Sequence, residues 1–277
     1  MDFLPLPAPG STPARVLTIA GSDSGGGAGL QADLRTAALL GVHACVAVTA
    51  VTVQNTLGVQ GFHEVPPDVV AGQIRAVVTD IGVQAAKTGM LASAGIITAV
   101  ANTWRALGLT IPLVVDPVCA SMHGDALLAT SALDALRDEL FPLATLVTPN
   151  LHEVRLLVGI DVVDAATARA AARALHALGP RWALVKGGHL PSTQYSPDLL
   201  YDGTDFHEFT GPRIATGADH GAGDTLAAAT ACALAHGFTL PEAVAFGKRW
   251  VTQCLRAAYP LGHGHGPVSP LFRLGLG

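Results

Sequence analysis

Arg15–Ala20 (RVLTIA) runs straight into Gly21–Gly29 (GSDSGGGAG) and then into Leu30–Leu40 (LQADLRTAALL), which stops at Gly41. The first piece is short, apolar and β-branched, as a buried strand requires. The third has a helical pattern and ends on glycine, a common helix terminator. The same alternation continues along the chain. Cys45–Thr52, Val83–Lys87, Pro112–Val115, Thr145–Thr148 and Trp182–Val185 read as strands, and Pro66–Asp80, Ala94–Leu107, Ser131–Leu140, Asn150–Leu157 and Thr167–Leu178 as helices. Residues 199–202 and 206–209 suggest a hairpin across Gly203, followed by helices over 222–236 and 241–257. This pattern predicts an α/β fold, a three-layer αβα sandwich with a mainly parallel central sheet. Right-handed crossovers then bring the C-terminal ends of the strands to one rim, where ligands bind in such sheets. No long linker interrupts the pattern, so residues 15–277 are expected to form one domain after a loose, proline-rich leader over 1–14.

Composition narrows the function. Of 277 residues, 50% are hydrophobic and 13% charged, ample for a large buried core. The net charge is −5 and no Lys/Arg cluster exists, which argues against a nucleic-acid partner. The four cysteines (45, 119, 232, 254) are scattered without a CxxC pair and read as small buried residues. The first residues, MDFLPLPAPGSTPA, lack the basic start and apolar core of a secretory signal. No stretch demands a membrane span. A cytoplasmic protein is expected.

The predicted strand ends carry Gly21-Ser-Asp, Gln54-Asn55, Lys87-Thr-Gly-Met90, Asp116-Pro, Thr148-Pro-Asn150 and Lys186-Gly-Gly-His189. In a charge-poor chain, this concentration of polar groups on one rim marks a site. His220–Thr225 (HGAGDT) precedes the apolar helix former LAAATACALA. Free amides and the positive dipole end of such a helix attract phosphate, and Asp224 adds a carboxylate there. That pairing suits phosphoryl transfer to a hydroxyl; the structural alternative is an aspartate that merely caps the helix.

Asn150 and Glu153 are spaced to hold Mg²⁺ through waters or to form a capping box, and the spacing alone favours the box. Lys186 can neutralise a phosphate or be an ordinary strand-exit lysine. Asp116 can order a metal's water shell or cap the turn at Pro117. The glycines of 21–29 match neither GxxxxGK[ST] nor GxGxxG, so they are no nucleotide fingerprint. His263 and His265 are too few for a metal site, and Gly262–Gly266 suggests a mobile flap. Met90 and Val118 read as core or pocket wall, and the planar amide of Gln54 suits the donor–acceptor edge of an aminopyrimidine.

Taken in order, TIAGSDSGGGAGLQADLRT, AVTAVTVQNTLGVQ, KTGML, VVDPV, TPNLHE, VKGGH, HGAGDTLAAA and GHGHGPV resemble the bacterial hydroxymethylpyrimidine/phosphomethylpyrimidine kinases of thiamin biosynthesis, members of the ribokinase-like superfamily. The resemblance covers residues 15 to 268. It implies a homodimer that uses ATP and Mg²⁺ to phosphorylate 4-amino-5-hydroxymethyl-2-methylpyrimidine and then its monophosphate. On the matching positions it implies a pyrimidine site of Gly21, Asp33, Gln54, Met90 and Val118. It implies nucleotide contacts from Lys186, Asn150 and Thr216, Mg²⁺ near Glu153 and Asp116, and catalysis by Gly221, Ala222, Gly223 and Asp224. Two departures stand out. The resembled kinases commonly carry HGTGCT, with cysteine where this chain has Asp224 and threonine in place of Ala222; Gly217-Ala218-Asp219 also replaces their usual Lys-Asn-Thr. GAGD is the wider sugar-kinase pattern, in which the aspartate is the base.

A pyridoxal or pyridoxine kinase of the same superfamily is the nearest rival; Asp224 supports it and AVTAVTVQNT argues against it. A nicotinamide-dependent oxidoreductase lacks its GxGxxG. A non-catalytic ligand sensor would not need Asp224, Lys186 and Glu153 together.

Overall fold

The computed structural model describes residues 3–119, 130–188, 190 and 194–275. Ten strands form in chain order: β1 (Arg15–Ala20), β2 (His43–Val48), β3 (Ala50–Asn55), β4 (Gly58–Glu64), β5 (Ala85–Thr88), β6 (Leu113–Val115), β7 (Leu146–Val147), β8 (Ala183–Lys186), β9 (Tyr195–Tyr201) and β10 (Phe206–Pro212). Eight of them make one sheet in the order β10-β9-β8-β7-β6-β5-β1-β2. It is parallel from β2 to β8, and the β9–β10 hairpin closes one edge antiparallel.

Alternating side chains feed two cores, one on each face. Leu17, Ile19, Leu113, Val115, Ala183 and Val185 enter the first, against α2 (Pro67–Ala76), α3 (Ala94–Ala106), α4 (Thr130–Ala135), α5 (Leu151–Val158) and α6 (Ala165–His176). Val16, Val114, Leu146 and Leu184 enter the second, beneath α1 (Gly29–Leu39), α7 (Ala222–Ala235) and α8 (Leu240–Arg256). The αβα sandwich expected from the sequence is therefore the fold. Helix α7 is apolar all round because α1, α8 and the sheet enclose it; every residue from Thr225 to Leu234 is buried.

Two readings need correction. Cys45–Thr52 is not one strand. The ladder stops at Val48, and Thr49 turns aside, its amide donating to Ala20 O (2.9 Å) and its hydroxyl to Met90 O (2.6 Å). The chain then leaves the main sheet as β3 and pairs with β4, whose glycines hid it in the sequence. The leader is also less loose than expected. Residues 3–14 form no helix or strand, yet Leu4 is 1% exposed and Phe3 packs on Trp250 and Phe272.

Candidate active site

Every strand end singled out above, apart from His189, which lies outside the described residues, meets near the start of α7. Gly221 opens that helix with φ +79°, a conformation that suits glycine. Its turn lies against the glycine loop so closely that an added Cβ would sit 2.0 Å from Gly27 O. The amide of Ala222 donates to Asp219 O (3.1 Å), so it is committed to the turn. Those of Gly221, Gly223 and Asp224 have no acceptor among the described residues. Three of the four expected amides are thus available to an anion.

Asp224 does not cap its own helix. One carboxylate oxygen accepts from Lys87 Nζ (2.8 Å) and the other from the Gly29 amide (3.2 Å). Lys87 is buried, with its ammonium 3.0 Å from both oxygens of Asp33, and Asp33 also accepts from the Thr18 hydroxyl (2.5 Å). Removing three charges from water costs several kcal/mol per ion, and mutual attraction must offset it. Burial pushes the Asp33 carboxyl up to about 6, against the pull of Lys87 and with help from Asp224. Burial also works against the charge on Asp224, but Lys87 outweighs it and holds this carboxyl below its ordinary value. Lys87 is held above the usual lysine range because its two carboxylates, Asp224 and Asp33, overcome its desolvation.

The loop before α1 is wound around Asp23, whose carboxylate accepts from the amides of Gly25 (2.8 Å), Gly27 (2.9 Å) and Ala28 (2.8 Å). His220 Nε2 lies 2.9 Å from the same carboxylate and 3.4 Å from Gln54 Nε2. Burial pushes Asp23 up, yet the His220 and amide hydrogen bonds keep it below the ordinary carboxylate value. The Gly21 amide donates to Met90 O (3.1 Å), and a Cβ on Gly21 would meet Met90 Sδ at 3.4 Å. Gly21 and Met90 therefore touch each other and Gln54 reaches His220, just before α7, whereas Asp33 points into the ion cluster. Val118 follows β6 with φ +42°, strained for a β-branched residue. Thr216 accepts from the Ala218 amide (3.0 Å) and has no described contact with Lys186 or Gly223. The Gly/His stretch is not a free flap: Gly264 and His265 donate their amides to Thr56 Oγ1 (3.2 Å) and O (2.9 Å).

On the other side of α7, Lys186 Nζ pairs with Asp116 Oδ1 (2.9 Å), which also accepts from Thr148 (3.0 Å). A Cβ on Gly223 would lie 3.3 Å from Lys186 Nζ and 3.4 Å from Asp116 Oδ2. Asn150 and Glu153 do form the capping box, and Glu153 accepts from the Asn150 (2.8 Å) and Cys119 (3.3 Å) amides. Burial raises Glu153 to about 7, against Lys186. The same burial disfavours charge on Lys186, but Asp116 and Glu153 keep it above its ordinary value. Among the described residues no three His, Cys, Asp or Glu groups cluster to cage a metal. Asp116 Oδ2, 3.4 Å from a Cβ built on Gly223, is the kind of single carboxylate oxygen that fits Mg²⁺, which is commonly held by one or two carboxylates and substrate phosphates. Each Glu153 oxygen accepts one amide hydrogen bond, so neither is wholly uncommitted.

A family model described as phosphomethylpyrimidine kinase matches residues 23–269. The chain belongs to the phosphomethylpyrimidine kinase family. The hydroxymethylpyrimidine/phosphomethylpyrimidine kinase of Mycobacterium tuberculosis (strain ATCC 25618 / H37Rv) is 76% identical over 274 residues, covering 99% of this chain and 100% of that protein. Two solved structures are similar at 35% identity. Bacillus subtilis pyridoxal kinase in an ADP complex has a TM-score of 0.87, covering 96% of this chain and 100% of its own. Phosphomethylpyrimidine kinase from Clostridium difficile 630 has a TM-score of 0.77, covering 87% and 98%. The resemblance drawn from the motifs is established by these matches. Lys87, Asp23 and His220 organise the site without having stood out as such in the sequence. A lysine inside an apolar strand of a charge-poor chain was the available signal for the first. The other two share a contact across 197 positions, which spacing cannot reveal.

Proposed function

We propose that this chain transfers the γ-phosphoryl group of ATP to the hydroxymethyl oxygen of 4-amino-5-hydroxymethyl-2-methylpyrimidine, and then phosphorylates the monophosphate to the diphosphate for thiamin biosynthesis. The observation that carries the reading is the carboxylate of Asp224 beside uncommitted amides of Gly221, Gly223 and Asp224, at the rim shared by Gln54 and Lys186. Asp224 orients the hydroxyl and takes its proton. The amides and Lys186 receive the charge spread over the phosphoryl oxygens. A carboxylate held at low pKa is a weak base, which suffices where bonding to the nucleophile is slight in a loose transition state. Gln54 reads the aminopyrimidine edge, with Gly21, Met90 and Val118 as its wall. Mg²⁺ bound with the nucleotide would sit against Asp116, with Glu153 behind water, and supply further neutralisation of the phosphates.

The substrate choice is supported by the full-length identity to the mycobacterial enzyme. The test compares both alcohols on purified protein with ATP and Mg²⁺, following products by mass. Mono- and then diphosphate are expected from the pyrimidine, with kcat/KM at least about 10²-fold above pyridoxal, because a site built on hydrogen bonds discriminates strongly. Equal or faster turnover of pyridoxal would replace this reading with the rival.

The resemblance also implies a homodimer, and β3 supports it: Val51 and Val53 face outward together, 53% and 63% exposed. Sedimentation velocity should give two copies for the wild type and one for Val53→Asp; a monomeric wild type would refute the dimer. None of the described helices is long and apolar enough to cross a membrane. Dependence on ATP fits a cytoplasmic enzyme, which cell fractionation would check.

A further inference from the structure

Asp33 matches a pyrimidine-site position by resemblance, but its surroundings do not suit a ligand. Asp33 is 2% exposed, and its carboxylate oxygens accept hydrogen bonds from Lys87 and Thr18. The void lined by Thr18, Asp33, Lys87 and Cys232 measures about 10 Å³, room for one water at most and none for a heterocycle. What Asp33 does touch is the lysine that holds Asp224. The three side chains come from α1, β5 and α7, and together they carry one net negative charge.

We propose that Lys87 is a positioning residue whose charge is divided between two carboxylates, so that Asp33 sets how strongly Asp224 draws the proton of the substrate hydroxyl. While Asp33 is ionised it claims much of the ammonium's field, and Asp224 keeps its affinity for a proton. If Asp33 is neutral, Lys87 acts on Asp224 alone and the base is weakened. The step itself balances simply. The alcohol oxygen bonds to the γ-phosphorus, the bond from that phosphorus to the β–γ bridging oxygen breaks, ADP leaves, and the hydroxyl proton passes to Asp224. The cluster then becomes neutral overall, a change favoured in a buried site. The other charged or titratable groups whose fields reach the cluster are Asp116 on β6, Lys186 on β8, His220 before α7 and Cys232 on α7.

This inference rests on the kinase reading for its kinetic half only. Asp33→Asn should lower kcat by about two- to threefold, because a base weakened by about one pKa unit is only partly felt where little of the proton has moved in a loose transition state, with KM for the pyrimidine unchanged. A raised KM with kcat retained would make Asp33 a substrate ligand and overturn the proposal. The second measurement needs no substrate. Asp224→Cys places a thiol beside Lys87, and its thiolate is followed by ultraviolet absorbance against pH; the four native cysteines are buried. Adding Asp33→Asn should lower the pKa of that thiol by about one unit, and adding Lys87→Met instead should raise it by at least as much. A thiol pKa that ignores both changes refutes charge sharing. Wild-type protein that phosphorylates neither alcohol would refute the kinase reading while leaving the thiol result intact.

Discussion

Replacing Asp224 with alanine slows phosphoryl transfer by about 10²-fold or more, the usual cost of losing a general base, and leaves the chain folded. The second half of that expectation follows from the cluster. Without Asp224, Lys87 keeps both oxygens of Asp33 at 3.0 Å, so no buried charge is stranded. The helix keeps its start as well, because Gly221 and not Asp224 occupies the cap and the Asp224 side chain bonds to none of the amides of its own helix. Single-turnover kinetics at saturating ATP, beside a thermal melt, separates the alternatives. Full activity would reduce Asp224 to a strut between α7 and the glycine loop. A collapsed melting temperature would show that Lys87 needs both carboxylates to stay buried.

The chain reveals its architecture through local chemistry, and loses detail where partners are distant. RVLTIA and LAAATACALA declare a buried strand and an enclosed helix by composition alone, and both lie where expected. The capping box of Asn150 and Glu153 is equally legible, since its partners are three residues apart. Thr49 is different. Nothing in AVTAVTV marks a break, because the break is made by Ala20 and Met90, whose sequence positions are far away. Asp33 and Lys87 fail for the same reason: a helix residue and a strand-end lysine, 54 positions apart, acquire meaning only when the sheet brings them to 3.0 Å. The rim could be deduced, because right-handed crossovers fix which strand ends share an edge. The bonds across it could not.

Overall shape does not choose the substrate. A pyridoxal kinase and a phosphomethylpyrimidine kinase are both similar to this chain at 35% identity, and the former has the higher TM-score. Both alcohols are hydroxymethyl heterocycles, so the same rim can serve either. Selection must therefore come from groups that face the ring, and Gln54 is the one polar side chain among those proposed for the wall. Its amide lies 3.4 Å from His220, which Asp23 fixes, so the reading edge is tied to the glycine loop and to the start of α7. On the proposed reading, binding the right ring and aligning the anion cradle would depend on the same few contacts.

Gly221→Ala tests that alignment against a built-in control. Gly26 and Gly221 have nearly the same backbone, φ +78° and +79°, but Gly26 has nothing within 4 Å of an added Cβ, whereas Gly221 would drive one to 2.0 Å from Gly27 O and 3.1 Å from Ala28 Cα. Alanine at 26 pays only the left-handed conformation, about 1–2 kcal/mol. Alanine at 221 carries that same strain and must also push apart two backbone turns, adding at least about 2 kcal/mol by the cost of overpacking. At about 2–4 °C per kcal/mol for chains approaching this length, Gly221→Ala should melt at least about 4 °C below Gly26→Ala. Turnover should separate further, because moving the amides of 221–224 by about 1 Å relative to the glycine loop can cost about 10²-fold. If the two variants melt together and turn over alike, the close contact between the loops has no part in holding the cradle.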